Sequence, residues 1–155
     1  AQAENLRPVT AEEIAPLSPG VPDKRLEIDL TRQRLLAYEG SQPVFATRIS
    51  TGSFPGSTPQ GEYKVERKQA SRHMANDFDG DDFDLPGVPW VCYISWTGIS
   101  IHGTYWHNNY GQPQSHGCIN LSPKAALWVF RWTEPVVPLE KERVESDQGT
   151  RVIVY

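Results

Sequence analysis

A cysteine directly follows Ser-His-Gly in the stretch QPQSHGCIN, residues 112–120. Cys118 is compatible with four roles: a reactive nucleophile, half of a disulfide, a metal ligand or a small buried side chain. The attacking form of a cysteine is the thiolate, and a free thiol has a pKa of about 8.5. Nucleophilic use therefore requires a neighbouring base, usually a histidine. His116 is two residues away, and Gly117 would let the backbone turn tightly and a substrate approach.

A second histidine is better placed to act as the base. His102 ends the predicted strand ISIHG, and strand ends hold side chains rigidly at the edge of a cleft. The carbonyl of Gly103 could bind the other ring nitrogen. The polar, aromatic segment TYWHNNYGQPQ that follows is predicted to form a flap or rim over the site. The remaining histidines, His73 and His107, are predicted to be exposed polar residues.

The other three roles of Cys118 are weaker. The only other cysteine, Cys92, lies in the apolar run VPWVCYIS, where a buried hydrophobic role is expected. Because the two contexts differ, a disulfide between them is not expected. Thiolate-rich zinc sites use paired cysteines at short spacing, and this sequence has none, so no metal at Cys118 is predicted.

An acidic loop at 76–84 raises a separate metal question. Asp77, Asp79 and Asp81 alternate as in the first half of an EF-hand loop. However, Gly80 stands at the fourth position, and no glutamate closes a loop of the required length. A solvated turn is expected, with opportunistic calcium binding as the alternative.

Composition limits the class of protein. The 155 residues suit one domain, and no apolar run is long enough to span a membrane. The net charge of −4 argues against nucleic acid as a partner. The chain begins without Met, which is typical of a processed or trimmed start, so any export signal is expected to have been removed.

The residue pattern predicts a mainly β fold. Residues 1–23 are predicted to be a tail or linker with one helical turn capped by Thr10, and residues 24–155 form the domain. The alternation in RLEIDL, LLAYE and VFATRIS predicts a three-stranded meander, and EYKVER predicts a further strand. After the acidic loop, VPWVCYISW and ISIHG read as two strands joined by a tight turn. One helix follows Cys118, with Ser122 as its N-cap and Pro123 as its first residue, and TRVIVY is a last strand.

These motifs together resemble the L,D-transpeptidase catalytic domain, or YkuD family. The resemblance rests on His102-Gly103, then a flap, then Ser115-His116-Gly117-Cys118-Ile119-Asn120. Upstream, Thr51-Gly52 and the stretch 58–61, TPQG, agree with the family's turn ahead of the site. The likeness extends from about Lys24 to Tyr155.

The resemblance implies a β-sandwich-like fold with one short helix after the motif. It also implies that Cys118 attacks a peptidoglycan stem tetrapeptide and releases D-Ala, and that an acceptor amine then completes a crosslink. His102 would be the base, oriented by the Gly103 carbonyl. The oxyanion and supporting residues would be Gly117 with Cys118, His116, Ser115 and Asn120. Among flap residues, the expected substrate contacts are Tyr105, Trp106 and Tyr110.

Two other functions remain open at this level. The same acyl-enzyme resolved by water would make the protein an L,D-carboxypeptidase, and a domain that kept only the fold would be a non-catalytic wall-binding module. No cofactor is expected, the partners would be peptidoglycan stem peptides, and the chain is expected to be a monomer. The resemblance places it outside the cytoplasm, in the cell envelope.

Overall fold

Alternating apolar residues build two β-sheets that pack face to face. The computed structural model describes residues 7–76 and 83–155. Within these ranges the strands are β1 (Lys24–Asp29), β2 (Arg34–Glu39), β3 (Gln42–Arg48), β4 (Gly61–Lys64), β5 (Arg67–Asn76), β6 (Phe83–Tyr93), β7 (Ser100–Gly103), β8 (Ile119–Leu121), β9 (Arg143–Glu145) and β10 (Arg151–Val154). The helices are α1 (Ala11–Ile14) and α2 (Pro123–Trp132). The predicted mainly β class with a short helix after the motif is confirmed.

The strand order places the two ends of the predicted site side by side. The first sheet has the order β3-β2-β1-β10-β4, and the second has β8-β7-β6-β5-β9. In the second sheet β7 and β8 are parallel, with Ile101 opposite Ile119 and His102 opposite Asn120. Cys118 immediately precedes β8, so this register brings it close to β7. A parallel pair needs a long connection, and residues 104–118 supply it.

The space between the sheets is filled by fully buried aliphatic side chains. The first sheet contributes Leu26, Ile28, Leu35, Val152 and Val154, and the second contributes Cys92, Ile101, Ile119 and Leu121. Removing this apolar surface from water is the main favourable contribution to folding, at about 25 cal/mol per Å². Burial of Cys92, and its state as a free thiol, agree with the prediction.

Helix α2 joins the two layers. Its N-cap is Ser122, whose hydroxyl accepts the amide of Ala125, and Pro123 is its first residue, as predicted. Trp128 stacks on Phe45 of β3 with ring centroids 4.1 Å apart. The helix therefore positions β7 and β8, which it contacts on the side of the second sheet.

Two buried lysines bind the carboxyl end of α2. Lys68 Nζ donates to the carbonyls of Phe130 and Thr133, and Lys24 Nζ donates to Trp132. The last carbonyls of a helix lack intrahelical donors and carry partial negative charge, so cations there are favourable. Sequence patterns did not identify this pair, because each lysine lies far from the helix in the chain.

One predicted strand is wrong. EYKVER was expected to be continuous, but β4 ends at Lys64 and β5 starts at Arg67 in the other sheet. The chain crosses between sheets at this point: Val65 N–H donates to Thr150, whereas Glu66 N–H donates to Tyr93. Apolar alternation continues through the crossover, so the pattern cannot reveal it. β5 also extends to Asn76, while Asp77, Asp79 and Asp81 of the acidic loop lie outside the described residues.

The N-terminal segment has the predicted helical turn and contacts the domain. Thr10 and Glu13 form a reciprocal capping box on α1. Leu17 N–H donates to the Arg131 carbonyl, and Arg131 Nε donates to Ala15. The boundary at residues 23 and 24 stays a prediction. None of the helices in the described ranges has the length and apolar character to cross a membrane.

Candidate active site

Most of the predicted site residues line one cavity of about 370 Å³ at the edge of the second sheet. Its walls include His102, Cys118, Ser115, His116, Gly117, Asn120 and Trp106. The sequence separates His102 from Cys118 by a long segment, and the parallel β7–β8 pair brings them together.

The ring of His102 is held in one tautomer. His102 is 3% exposed, and its Nδ1 lies 2.9 Å from the Gly103 carbonyl. A carbonyl only accepts, so Nδ1 carries the proton and Nε2 keeps its lone pair. Burial lowers the pKa of His102 from 6.5 to about 4. The imidazole is therefore neutral at neutral pH and can accept a proton, as a general base must.

The thiol of Cys118 is protonated at neutral pH for the same physical reason. Burial raises its pKa, while hydrogen bonds from Ser100 oppose that rise. Sγ lies 3.7 Å from the Gly98 carbonyl and 3.6 Å from Ser100 Oγ. Within the described chain, no hydrogen bond joins Sγ to His102. The resting pair is thus thiol and neutral imidazole, with the thiol hydrogen-bonded to Gly98 and not to His102.

Ser115 closes the turn that carries the cysteine. Its hydroxyl donates to the Cys118 carbonyl at 2.5 Å and accepts the Gly117 amide at 3.1 Å. The hydroxyl therefore sets the backbone geometry on both sides of Gly117.

The loop at residues 51–61, which resembles the family's upstream element, also holds this turn in place. Thr58 Oγ1 donates to the Gly117 carbonyl at 2.7 Å and accepts the Gly52 amide at 2.9 Å. A Cβ on Gly117 would lie 2.6 Å from the Ser57 carbonyl oxygen, and its φ of +153° disfavours side chains. Only glycine fits between the two loops.

The two predicted oxyanion donors differ in whether the amide already has a hydrogen-bond acceptor. Gly117 N–H already donates to Ser115 Oγ. Cys118 N–H has no acceptor among residues 7–76 and 83–155. The cysteine amide is therefore open to a substrate oxygen, whereas the glycine amide would first have to leave the serine.

Asn120 contacts His107, a histidine that the sequence predicted to be an exposed polar residue. Asn120 is buried, its backbone pairs with Ser50, and its side-chain amide lies 3.0 Å from His107 Nε2. His107 Nδ1 accepts the amide of Asn109, so a neutral ring carries its proton on Nε2. The Asn120 oxygen then belongs opposite that proton, because amide oxygen and nitrogen are assigned from their partners. The prediction for His107 is wrong: the flap folds its ring against Asn120. His73, by contrast, is exposed as predicted.

The three aromatic residues of the flap have different positions. Trp106 lines the cavity, with its ring 5.9 Å from that of His102. Tyr105 donates to the Pro86 carbonyl at 2.6 Å, and Tyr110 donates to the Leu121 carbonyl at 3.1 Å. These two hydroxyls fix the flap to β6 and β8. Both tyrosines line a neighbouring cavity of about 440 Å³ that shares Trp106 with the first.

The part of the cavity wall formed by the β5–β6 pair was not found from sequence. Met74, Phe83 and Leu85 of the β5–β6 pair line the cavity, and the Phe83 ring lies 5.4 Å from that of His116. Their positions depend on the extension of β5 to Asn76, which the pattern did not reveal. Ser100 was also missed, because a serine in a short strand carries no distinctive signal.

The comparison with family profiles agrees with this geometry. The L,D-transpeptidase catalytic domain, YkuD, matches residues 23–154. The chain belongs to the YkuD family. Among curated proteins, L,D-transpeptidase 1 of Mycobacterium tuberculosis (strain ATCC 25618 / H37Rv) is 32% identical over 88 residues, covering 52% of this chain and 35% of that protein. The chain thus spans about a third of this relative.

Solved structures of L,D-transpeptidases share the fold. The catalytic domain of the Enterococcus faecium L,D-transpeptidase, determined by NMR, is 29% identical with a TM-score of 0.66, covering 88% of this chain and 99% of that one. An L,D-transpeptidase from Mycobacterium smegmatis has a TM-score of 0.68 at 23% identity, covering 85% of this chain and 58% of that one. The resemblance inferred from the His102 and Cys118 motifs is confirmed at the level of family and fold.

Proposed function

We propose that this YkuD domain is a cysteine-dependent L,D-transpeptidase that acts on peptidoglycan stem peptides. The observation that carries the proposal is the neutral His102 imidazole, whose Nδ1 is held by Gly103 in the cavity that also contains the Cys118 thiol. A neutral imidazole with an available nitrogen in the same cavity as a thiol is the arrangement expected of a nucleophile with a general base.

The first half-reaction forms a thioester. Nε2 of His102 takes the Cys118 proton, and Sγ bonds to the carbonyl carbon of the L-centre that precedes the terminal D-Ala of a tetrapeptide. The Cys118 amide donates to the developing oxyanion, an interaction typically worth about 2.7–4 kcal/mol per donor. As the intermediate collapses, the C–N bond breaks and His102 returns the proton to the departing D-Ala amine.

The second half-reaction releases the enzyme. An amine from the diamino acid of a neighbouring stem attacks the thioester while His102 accepts its proton. The C–S bond breaks, an amide crosslink forms, and the proton returns to Cys118. Water in place of the amine would make the protein an L,D-carboxypeptidase.

Supporting roles follow from the contacts. Ser115 shapes the turn that carries Cys118, Asn120 and His107 stabilise the flap, and His116 lines the cavity beside Phe83. Trp106 is placed to contact a bound stem, while Tyr105 and Tyr110 would meet a substrate only in the neighbouring cavity. The substrate class implies a location in the cell envelope.

Incubation with a purified tetrapeptide muropeptide, with and without an acceptor stem, tests the proposal. Crosslinked dimer together with free D-Ala supports the transpeptidase. Tripeptide alone would identify the carboxypeptidase, and binding without turnover would identify a wall-binding module. A carbapenem should add covalently to Cys118, and mass spectrometry of the intact protein would detect the adduct; a Cys118→Ala variant should form none.

A further inference from the structure

Ser100 is the residue beside the thiol whose role nothing above explains. It begins β7, and the parallel pairing of Ile101 with Ile119 continues one residue back to place it next to Cys118. Its side chain is 0% exposed, and Oγ lies 3.6 Å from Sγ, within hydrogen-bond range for sulfur.

The thiol is the hydroxyl's sole hydrogen-bond partner among residues 7–76 and 83–155. A buried hydroxyl without a partner is costly, so the contact with sulfur satisfies it. Sγ also approaches the Gly98 carbonyl at 3.7 Å, and a carbonyl can only accept. The S–H proton therefore points to Gly98, which leaves Ser100 O–H to donate to sulfur.

Loss of the Cys118 proton changes the effect that these two contacts have on the sulfur. Once His102 removes it, the Gly98 oxygen no longer has a donor and repels the thiolate, whereas the Ser100 hydroxyl donates more strongly to a charged acceptor. The same hydroxyl thus orients the thiol at rest and stabilises the thiolate during attack. Hydrogen bonds from Ser100 also lower the pKa of Cys118 against the effect of burial.

We propose that Ser100 is a positioning residue that holds the Cys118 sulfur and stabilises its thiolate through a hydroxyl hydrogen bond. This inference rests on the proposed role of Cys118 as nucleophile. It concerns the reactivity of the sulfur, so it can be measured without any peptidoglycan substrate.

The test is the pH dependence of alkylation by iodoacetamide, followed at the Cys118 peptide by mass spectrometry. The thiolate is the reactive form, so the midpoint of the rate profile reports the pKa of the thiol. Ser100→Ala should move this midpoint upward by about one pH unit, the size expected for a hydrogen bond to a charged group. At pH below the midpoint the rate should fall by about tenfold, since each unit of pKa changes the thiolate fraction by that factor.

Two further variants separate the effect of the Ser100 hydroxyl from any effect of side-chain packing. Ser100→Thr keeps the hydroxyl, and its midpoint should return toward the wild-type value. Ser50→Ala removes the hydroxyl of another fully buried serine that bonds to Asn109 instead of the thiol, and its midpoint should equal that of the wild type. Circular dichroism confirms that each variant is folded.

An unchanged midpoint in folded Ser100→Ala would overturn the inference, as would an equal shift in Ser50→Ala. An equal upward shift in Ser100→Thr would assign the effect to packing and would also overturn it. If wild-type Cys118 resisted alkylation at every pH, the nucleophile and the role of Ser100 would both be wrong. Normal alkylation of a protein that fails to crosslink muropeptides would contradict the proposed function alone.

Discussion

The two cysteines of this protein occupy contrasting environments. Cys92 is fully buried in the core of the sandwich, beside the buried ammonium of Lys68 and 3.9 Å from Thr133 Oγ1. Cys118 lines a cavity beside a neutral histidine. Burial raises the pKa of both thiols. Cys92, the cysteine with a cationic neighbour, is therefore the one that a substrate cannot reach.

Access to a cavity and a neighbouring base, more than a nearby positive charge, therefore distinguish Cys118, the proposed nucleophile, from Cys92. Lys68 donates its protons to carbonyls at the end of α2 and offers no lone pair to a thiol while charged. His102 has its donor nitrogen occupied by Gly103 and its other nitrogen available. The following predictions test this contrast, from the largest expected effect to the smallest.

Replacing Cys118 with Ala should abolish crosslinking, a loss of at least about 10³-fold, because the proposed acyl-enzyme forms on its sulfur. Muropeptide products separated by chromatography provide the measurement. Retained crosslinking in this variant would show that the nucleophile lies elsewhere.

Replacing His102 with Asn should lower kcat/KM by about 10²–10⁴-fold, the usual contribution of a general base. Steady-state release of D-Ala measures it. His73→Asn is the matched control, because His73 is exposed and pairs with Asp84 away from the thiol. Similar losses in both variants would argue against the assignment.

The acid limb of the pH–rate profile should lie far below that of an ordinary histidine. Since burial lowers the pKa of His102 to about 4, the ring stays neutral until that pH, and kcat/KM should fall only below it. The depressed pKa also makes the folded state lose stability as pH drops from 6.5 through about 4. Circular dichroism at each pH separates unfolding from titration, and a limb near 6.5 in folded protein would contradict the buried, neutral ring.

Lys68→Ala should reduce the free energy of unfolding by about 2–4 kcal/mol, because two helix carbonyls lose a charged donor. Urea unfolding gives the value. The exposed Lys64→Ala should change stability by about 0.5 kcal/mol or less. Equal effects would mean that the buried ammonium adds nothing specific at the end of α2.

Cys92→Val should have the smallest effect. Valine is slightly larger than cysteine, and such overpacking typically costs about 1–3 kcal/mol, while crosslinking should be unchanged. Thermal unfolding and the muropeptide assay check both statements. A large loss of activity at normal stability would give Cys92 a role that its position does not explain.

Much of the architecture was predictable because it depends on local pattern. The alternation of apolar residues located β1 to β3, and Ser122 with Pro123 located the start of α2. The crossover between β4 and β5 was not predictable. Val65 is apolar and buried there, and a continuous strand would have the same kind of residue at this position. The extension of β5 beyond Arg67 was missed for a related reason: its mixed polar residues lack a clear alternation.

The candidate site likewise contains residues that the sequence predicted and residues that it did not. Side-chain type and spacing predicted Cys118 and His102, since thiol chemistry requires a base, and the family resemblance added their supporting neighbours. Neither identified Ser100, the cavity wall at Phe83 or the contact of His107 with Asn120. Those depend on strand register and on how the flap folds back.

The sequence by itself determined the family and the mainly β class, and it predicted Cys118 and His102 as the pair for acyl transfer. These are properties of residue type and local order. Only the tertiary structure decided that Cys118 rests against Ser100 and Gly98 and that burial keeps His102 neutral. The physical reason is that hydrogen-bond partners and pKa values depend on burial and on contacts between strands far apart in the chain.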